Sequence, residues 1–196
     1  MNAVVFILLV VVPALYADHE IQSSHYLGRF REQSPLNALP NMLGGLIPGG
    51  DPSICEERAS GKDVYGLTID SDYCFSGDNA ADTYDINGYS NSVCSGRARD
   101  VYANVKVSTT CQREMFELSC DNGGQIQIID GFYGRRGDDI CEDDPESTDY
   151  CHFDVTNILK KLCDGLTYCT KNTVKKIFGD PCDQAPKHLV IQYYCK

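Results

Sequence analysis

Two short motifs contain the residue types of this chain that are best suited to contact a ligand. They are Tyr133-Gly134-Arg135 and Phe178-Gly179-Asp180-Pro181-Cys182. A carboxylate accepts hydrogen bonds, and a tyrosine offers an aromatic face together with a hydroxyl that donates and accepts. Each motif also has a purely structural interpretation, in which Gly134 forms a turn, Arg135 makes an ion pair, and Asp180 starts a turn that positions Cys182. The residues alone leave both interpretations open.

Signatures of the common enzyme classes are absent from the sequence. It has no Gly-x-Ser-x-Gly, no His-Glu-x-x-His and no Gly-rich phosphate loop with a lysine. None of the four histidines is spaced as a metal ligand or as a base beside a nucleophile; they are His19, His25, His152 and His188. We therefore predict that the protein is not an enzyme and needs no cofactor or metal.

The charge balance excludes nucleic acid as a predicted partner. The 196-residue chain has 28 acidic and 17 basic residues, a formal net charge of −11, whereas phosphate binding requires clustered lysine and arginine. Acidic residues are concentrated in residues 138–149. This run could bind calcium, but it lacks the EF-hand pattern and contains Pro145, so a solvated acidic loop is favoured.

The first 17 residues are typical of a secretory signal peptide. Val4 to Val12 form an unbroken apolar run that Pro13 and small residues follow. The run is too short to cross a bilayer, and no later stretch is apolar enough to do so. We therefore predict a secreted, extracellular protein without a membrane span, cleaved after Ala17.

Secretion determines how the 11 cysteines are interpreted. In an oxidising compartment they form disulfides rather than metal sites or nucleophiles. Because 11 is odd, at least one cysteine stays unpaired within the chain. Three cysteines precede residue 111, and we predict that one of them (Cys55, Cys74 or Cys94) is a free thiol or links two chains into a dimer.

Composition divides the mature chain into three segments. Residues 18–52 are polar and then rich in Pro and Gly, which predicts a flexible amino-terminal segment. Residues 53–110 predict a loop-rich segment of unknown fold with one clear strand, Val101–Val107, whose odd positions are apolar. Residues 111–196 hold the remaining eight cysteines, which predicts a self-contained disulfide framework.

Regular elements are predicted most clearly in residues 111–196. Apolar alternation predicts strands at Glu114–Cys120, Gln125–Asp130 and His188–Tyr194. A helix is predicted after an Asp154 N-cap, with Gly165 beyond its end. Its apolar stripe has helical spacing and consists of Val155, Ile158, Leu159 and Leu162. Strands and a helix stapled by disulfides predict a small α+β domain.

Residues 111–196 resemble the galactose/rhamnose-binding lectin domain of sea-urchin and fish egg lectins, which also occurs in latrophilin-type receptors. The resemblance rests on the Cys111–Cys120 spacing, the stretch from Tyr133 to Cys141, and the runs Cys163–Cys169 and Phe178–Cys182. It also includes Lys187-His188-Leu189 and the terminal Tyr194-Cys195. The resemblance implies a compact antiparallel β-sandwich-like domain with short helices. It also implies four disulfides: Cys111–Cys141, Cys120–Cys195, Cys151–Cys182 and Cys163–Cys169.

The resemblance also implies which side chains contact a sugar. Asp180 would accept hydrogen bonds from two hydroxyls, Lys187 would donate to one, and Tyr133 would offer its ring face and hydroxyl. Gln112 stands where the family typically has Glu, and Gln184 replaces a glycine that lets backbone approach the ligand. Lys175 stands where Asn is frequent.

Two functions from different classes therefore follow from the sequence. The first is a secreted, calcium-independent lectin for glycans bearing galactose or rhamnose. The second is a protein-binding module that kept the scaffold and lost the sugar, which the substitutions at Lys175 and Gln184 favour.

Overall fold

A computed structural model describes residues 23–31, 38–68, 72–90, 98–135, 141, 151–173, 175–180 and 186–196. The predicted signal peptide, the acidic run between Cys141 and Cys151, Cys94, Cys182 and Gln184 lie outside these residues. Of the helices in the described ranges, none combines the length and the hydropathy needed to cross a membrane.

The amino-terminal half, residues 24–104, forms a five-stranded antiparallel sheet in the order β1-β5-β3-β4-β2. The strands are β1 (Ser24–Arg31), β2 (Asn41–Met42), β3 (Val64–Thr68), β4 (Cys74–Ser76) and β5 (Ala98–Asn104). Two short helices accompany them: α1 (Pro52–Arg58) and α2 (Ala80–Thr83). Helix α1 begins where the Asp51 carboxylate accepts a hydrogen bond from the Ser53 N–H at 2.9 Å, which satisfies an otherwise unpaired amide.

This half has more regular structure than the loop-rich interpretation of residues 53–110 allowed. Strand β3 shows no apolar–polar alternation because both its faces are covered, and Val64, Tyr65 and Leu67 are all buried. The strand predicted at residues 101–107 ends at Asn104, and the chain then enters a strand of the other half. Strand β1 lies within residues 18–52, which were predicted to be flexible, but it pairs with β5 and is part of the sheet.

The carboxy-terminal half, residues 106–196, contains two antiparallel sheets and two helices. A four-stranded sheet has the order β6-β11-β8-β9, and a ribbon pairs β10 with β7. The strands are β6 (Lys106–Cys111), β7 (Met115–Ser119), β8 (Ile126–Arg135), β9 (Cys151–Asp154), β10 (Tyr168–Asn172) and β11 (His188–Cys195). The helices are α3 (Thr156–Cys163) and α4 (Lys175–Phe178). The predicted α+β class is confirmed.

The elements predicted in this half are confirmed with small shifts of their ends. Helix α3 begins at Thr156, whose N–H donates to the Asp154 carboxylate at 2.8 Å, so the predicted capping residue acts one position outside the N-cap. Gly165 follows the helix with φ of 79°, a left-handed conformation that favours glycine. Buried side chains of α3, β7, β8 and β11 share one core, in which Leu118, Leu159 and Leu189 are fully enclosed.

Disulfides staple both halves. The bonds Cys111–Cys141, Cys120–Cys195 and Cys163–Cys169 form as the resemblance implied. Cys151 is also disulfide-bonded, and its implied partner Cys182 lies outside the described residues. Of the three cysteines that precede residue 111, the buried Cys55 and Cys74 bond to each other between α1 and β4, so the predicted odd cysteine is neither of these two.

The two halves contact each other at the end of β11. The ring of Tyr194 stacks on His25 of β1 at a centroid distance of 5.8 Å. The Lys196 ammonium lies 2.8 Å from the Asp85 carboxylate. These contacts place the edge of the amino-terminal sheet against the final strand of the carboxy-terminal half.

Candidate functional site

The first motif lies inside a strand rather than at a turn. Tyr133-Gly134-Arg135 ends β8, where Tyr133 faces Leu189 and Gly134 faces His188 of β11 across the ladder. A Cβ on Gly134 would lie 2.2 Å from the carbonyl oxygen of Cys151 in β9. The structural interpretation of Gly134 as a turn residue is therefore wrong, since glycine is required here for the close approach of β9.

The second motif holds a carboxylate at the surface by anchoring the residue before it in the core. Phe178, the last residue of α4, is buried and packs on Tyr133 at 5.3 Å and on Phe116 at 6.4 Å between ring centroids. Gly179 adopts φ of 79° and donates its N–H to the Lys175 carbonyl oxygen at 2.8 Å. The chain therefore reverses after Phe178, and Asp180 emerges beside the start of α4.

Two of the three side chains that the resemblance implies, Asp180 and Lys187, are in direct contact. The Lys187 ammonium lies 2.6 Å from Asp180 Oδ1, and the Lys187 side chain is only 1% exposed. The Asp180 side chain keeps 23% of its surface exposed. Tyr133 packs on Phe178, two residues before Asp180, at 5.3 Å between ring centroids. An anion, a cation and a phenol from β8, the segment after α4 and the start of β11 thus form one cluster.

The role expected of the Tyr133 ring is corrected by its burial. The side chain is 0% exposed, and Phe178 packs against it, so in this conformation the ring offers no face on which a sugar could stack. Its hydroxyl is buried and has no hydrogen-bond partner among the described residues. An unsatisfied buried hydroxyl is unfavourable, so a hydrogen bond from this oxygen to a ligand or a water would be stabilising.

Gln112 lies beside this cluster in the turn that joins β6 to β7. Its N–H donates to the Lys187 carbonyl oxygen at 2.8 Å, and the Glu114 N–H donates to the Cys111 carbonyl oxygen at 3.2 Å. The buried Thr173 hydroxyl lies 2.6 Å from the Cys111 carbonyl oxygen. These bonds fix the turn to the start of β11, which brings Gln112 close to Lys187.

Lys175 is the member of the cluster that sequence reasoning treated only as a departure from the family. Its ammonium contacts Asp180 Oδ2, so the two lysines engage both oxygens of one carboxylate. The signal available in the sequence was the five-residue separation between Lys175 and Asp180. This separation brings the two together only because Gly179 reverses the chain.

Two pKa shifts describe the electrostatics of the cluster. Hydrogen bonds from Lys175 and then Lys187 lower the pKa of Asp180 from its ordinary 3.8. Burial, and secondarily the charge of Asp180, raises the pKa of Tyr133 above its ordinary 10.0. At neutral pH the cluster therefore presents an ionised carboxylate and a protonated phenol. In the part of the chain that the structure describes, no three ligating side chains are grouped to hold a metal ion.

Comparison with known proteins identifies the domain that carries this cluster. A family model described as D-galactoside/L-rhamnose binding SUEL lectin domain matches residues 118–195. The L-rhamnose-binding lectin ELEL-1 of Echinometra lucunter is 30% identical over 94 residues, which are 46% of this chain and 91% of that lectin. The chain belongs to the SUEL lectin domain family. This family is defined by carbohydrate binding and not by catalysis.

Other relatives show the SUEL domain in two settings. The D-galactoside-specific lectin of Heliocidaris crassispina is 26% identical over 95 residues, which are 46% of this chain and 90% of that lectin. Latrophilin-like protein 1 of Caenorhabditis elegans is 37% identical over 92 residues, 44% of this chain but only 9% of that relative. Tyr133, Asp180 and Lys187 lie within the residues that the SUEL family model matches, whereas Gln112 and the amino-terminal sheet precede them.

Proposed function

We propose that this protein is a secreted lectin that binds galactosides or L-rhamnose without calcium. The observation that carries the proposal is the convergence of Tyr133, Asp180 and Lys187 within a SUEL domain. The signal-peptide pattern of residues 1–17 and the stapling disulfides support secretion.

Each group has a distinct proposed role in sugar binding. Asp180 is the exposed acceptor, because a carboxylate has about four lone-pair sites and the two lysines leave some of them for sugar hydroxyls. Lys187 is buried beneath it, contacts Asp180 Oδ1 and fixes the orientation of the carboxylate. The Tyr133 hydroxyl and the Gln112 side chain complete the proposed site, together with Gln184, which lies outside the described residues.

Affinity chromatography on galactose and rhamnose resins, followed by a glycan array, tests this function. We expect retention that persists in EDTA and is lost in Asp180→Ala. The matched control is Glu117→Ala, which removes an exposed carboxylate from β7 and should bind as the wild type does. Absence of binding to both resins and to the array, or wild-type binding by Asp180→Ala, would show that the proposal is wrong.

A second candidate function is recognition of a protein partner. Two observations favour it: the covered ring of Tyr133, and the engagement of both Asp180 oxygens by lysines. A binding partner that tolerates enzymatic removal of glycans and still binds Asp180→Ala would support this function over the first.

A further inference from the structure

In the candidate site, the Asp180 carboxylate forms ion pairs with two ammonium groups. Lys187 and Lys175 contact the two oxygens of Asp180, and these three charges sum to a net positive charge. Among the described residues, Asp180 is the acidic group that pairs with Lys175. The protein as a whole carries a net charge of −11, so this group of two ammonium ions and one carboxylate is opposite in sign to the net charge of the chain.

Lys175 is not needed to hold Asp180 in place. The buried Lys187 already contacts the carboxylate at 2.6 Å, and a buried ammonium fixes a partner more firmly than an exposed one. The Lys175 side chain is 53% exposed, and exposed ion pairs contribute little to stability. Stabilisation of the fold therefore does not explain why a positively charged residue lies at position 175.

Lys175 retains hydrogen-bonding capacity directed towards solvent. An ammonium has three N–H donors, and one of them is used by Asp180 Oδ2. Arg113, on the same turn as Gln112, is a second exposed cation. The Arg113 backbone N–H donates to the carbonyl oxygen of Thr173, which lies just before α4. A ligand whose hydroxyls donate hydrogen bonds to Asp180 would thus lie next to the exposed ammonium of Lys175.

We propose that the sugar bound at this site carries a negatively charged substituent, which Lys175 recognises. The shared chemistry is an anionic oxygen group, either a carboxylate, as in a uronic acid, or a sulfate ester. Such a group accepts charge-assisted hydrogen bonds from the exposed Lys175 ammonium. This inference rests on the proposed lectin function and adds the class of saccharide.

Three sugars that differ at one carbon test the inference on the full mature protein. Galactose is the neutral probe, galacturonic acid carries a carboxylate at C6, and galactose 6-sulfate carries a sulfate ester at C6. We expect at least one charged sugar to bind about three- to tenfold more tightly than galactose at low salt. That preference should shrink in about 0.5 M NaCl, because salt screens an exposed charge.

Variants at neighbouring lysines assign the effect. Lys175→Gln should reduce the preference, which is the ratio of the affinities for the charged sugar and for galactose in the same variant, to about one. Lys176→Gln, the matched control on the same exposed turn of α4, should retain the preference. A tighter complex with only one of the two charged sugars supports the inference and identifies the anionic group.

Two results would overturn the inference, and both differ from failure of the lectin function. Equal affinity of the wild type for galactose and both charged sugars would show that Lys175 selects no anion. A preference that survives in Lys175→Gln would assign it to another group. Failure of every one of these sugars and of rhamnose to bind would instead overturn the lectin function itself, and the inference with it.

Discussion

The Tyr133 side chain is completely buried, and its hydroxyl has no hydrogen-bond partner among the described residues. Removal of this hydroxyl should therefore stabilise the fold but weaken sugar binding. Leaving a hydroxyl buried without a partner costs about 1–3 kcal/mol, so Tyr133→Phe should raise the free energy of unfolding by about 1 kcal/mol. The same change should weaken sugar binding by about 1 kcal/mol, because the phenol oxygen no longer contacts the ligand. Urea denaturation and affinity measurements test the two effects separately. A large loss of stability would show that the hydroxyl has a partner.

Asp180 determines how the site responds to acid. Lys175 and Lys187 lower the pKa of Asp180 below its ordinary value of 3.8. At any pH above 3.8 the carboxylate is therefore ionised, and its contribution to sugar binding is fully present. That contribution is lost only as pH falls through the lowered pKa. We expect sugar binding to stay constant from pH 7 to about pH 4. Binding should weaken only when the pH is lowered below 3.8.

Lys175→Gln provides the control for this pH dependence. Hydrogen bonding from Lys175 is the largest cause of the lowered pKa of Asp180, so the variant should lose binding at a higher pH than the wild type. Retention on resin at each pH measures binding, and circular dichroism at the same pH shows whether the fold persists. An unchanged acid limit in the variant would contradict the assignment.

The residue identities of the site could be predicted from sequence, whereas their environment could not. The resemblance to the lectin family implied Asp180, Lys187 and Tyr133, and the structure places Asp180 in contact with Lys187 and Tyr133 against Phe178 of the same motif. The covered ring of Tyr133 depends on Phe178, which lies 45 positions away in the chain and reaches it only through α4. A local pattern carries no information about such a contact.

At the scale of elements, the approach of β8 and β9 restricts position 134. A Cβ there would lie 2.2 Å from a backbone carbonyl oxygen, which cannot move as the tip of a flexible side chain can. Gly134→Ala should therefore lower the free energy of unfolding by about 2 kcal/mol or more. Gly45→Ala is the matched control, because nothing lies within 4 Å of its added Cβ, and it should change stability by less than about 0.5 kcal/mol. Thermal denaturation of both variants tests this, and equal stabilities would contradict it.

Strand β7, which has one exposed face, was predictable, whereas strand β3, which is buried on both faces, was not. Strand β7 alternates buried and exposed residues along its length, and its predicted span is confirmed. Strand β3 is buried at four successive positions, Val64 to Leu67, so its sequence lacks the period of two that reveals a strand. The loop-rich interpretation of this region followed from that missing signal.

At the scale of the whole molecule, the cysteine pairing leaves one residue to account for. Cys55 bonds to Cys74, and the implied Cys151–Cys182 bond would leave Cys94 as the odd cysteine among 11. Cys94→Ser should therefore have no thiol that reacts with a maleimide under denaturing, non-reducing conditions. It should also migrate as a monomer on a non-reducing gel.

The wild type provides the comparison for Cys94→Ser. It should either label at one thiol or migrate as a dimer that reducing agent separates. Peptide mapping identifies the labelled residue. Labelling at Cys182 in place of Cys94 would show that the implied pairing of Cys151 is wrong.

The position of β11 has a consequence for synthesis of the protein. This strand lies between β6 and β8 in its sheet, although it is made long after both. A nascent chain on the ribosome therefore exposes two unpaired strand edges until residues 188–195 emerge. Cys120 must likewise wait for Cys195, 75 residues later, while other thiols are already available for misoxidation. Efficient production should thus depend on a disulfide isomerase and on chaperones that shield strand edges during synthesis.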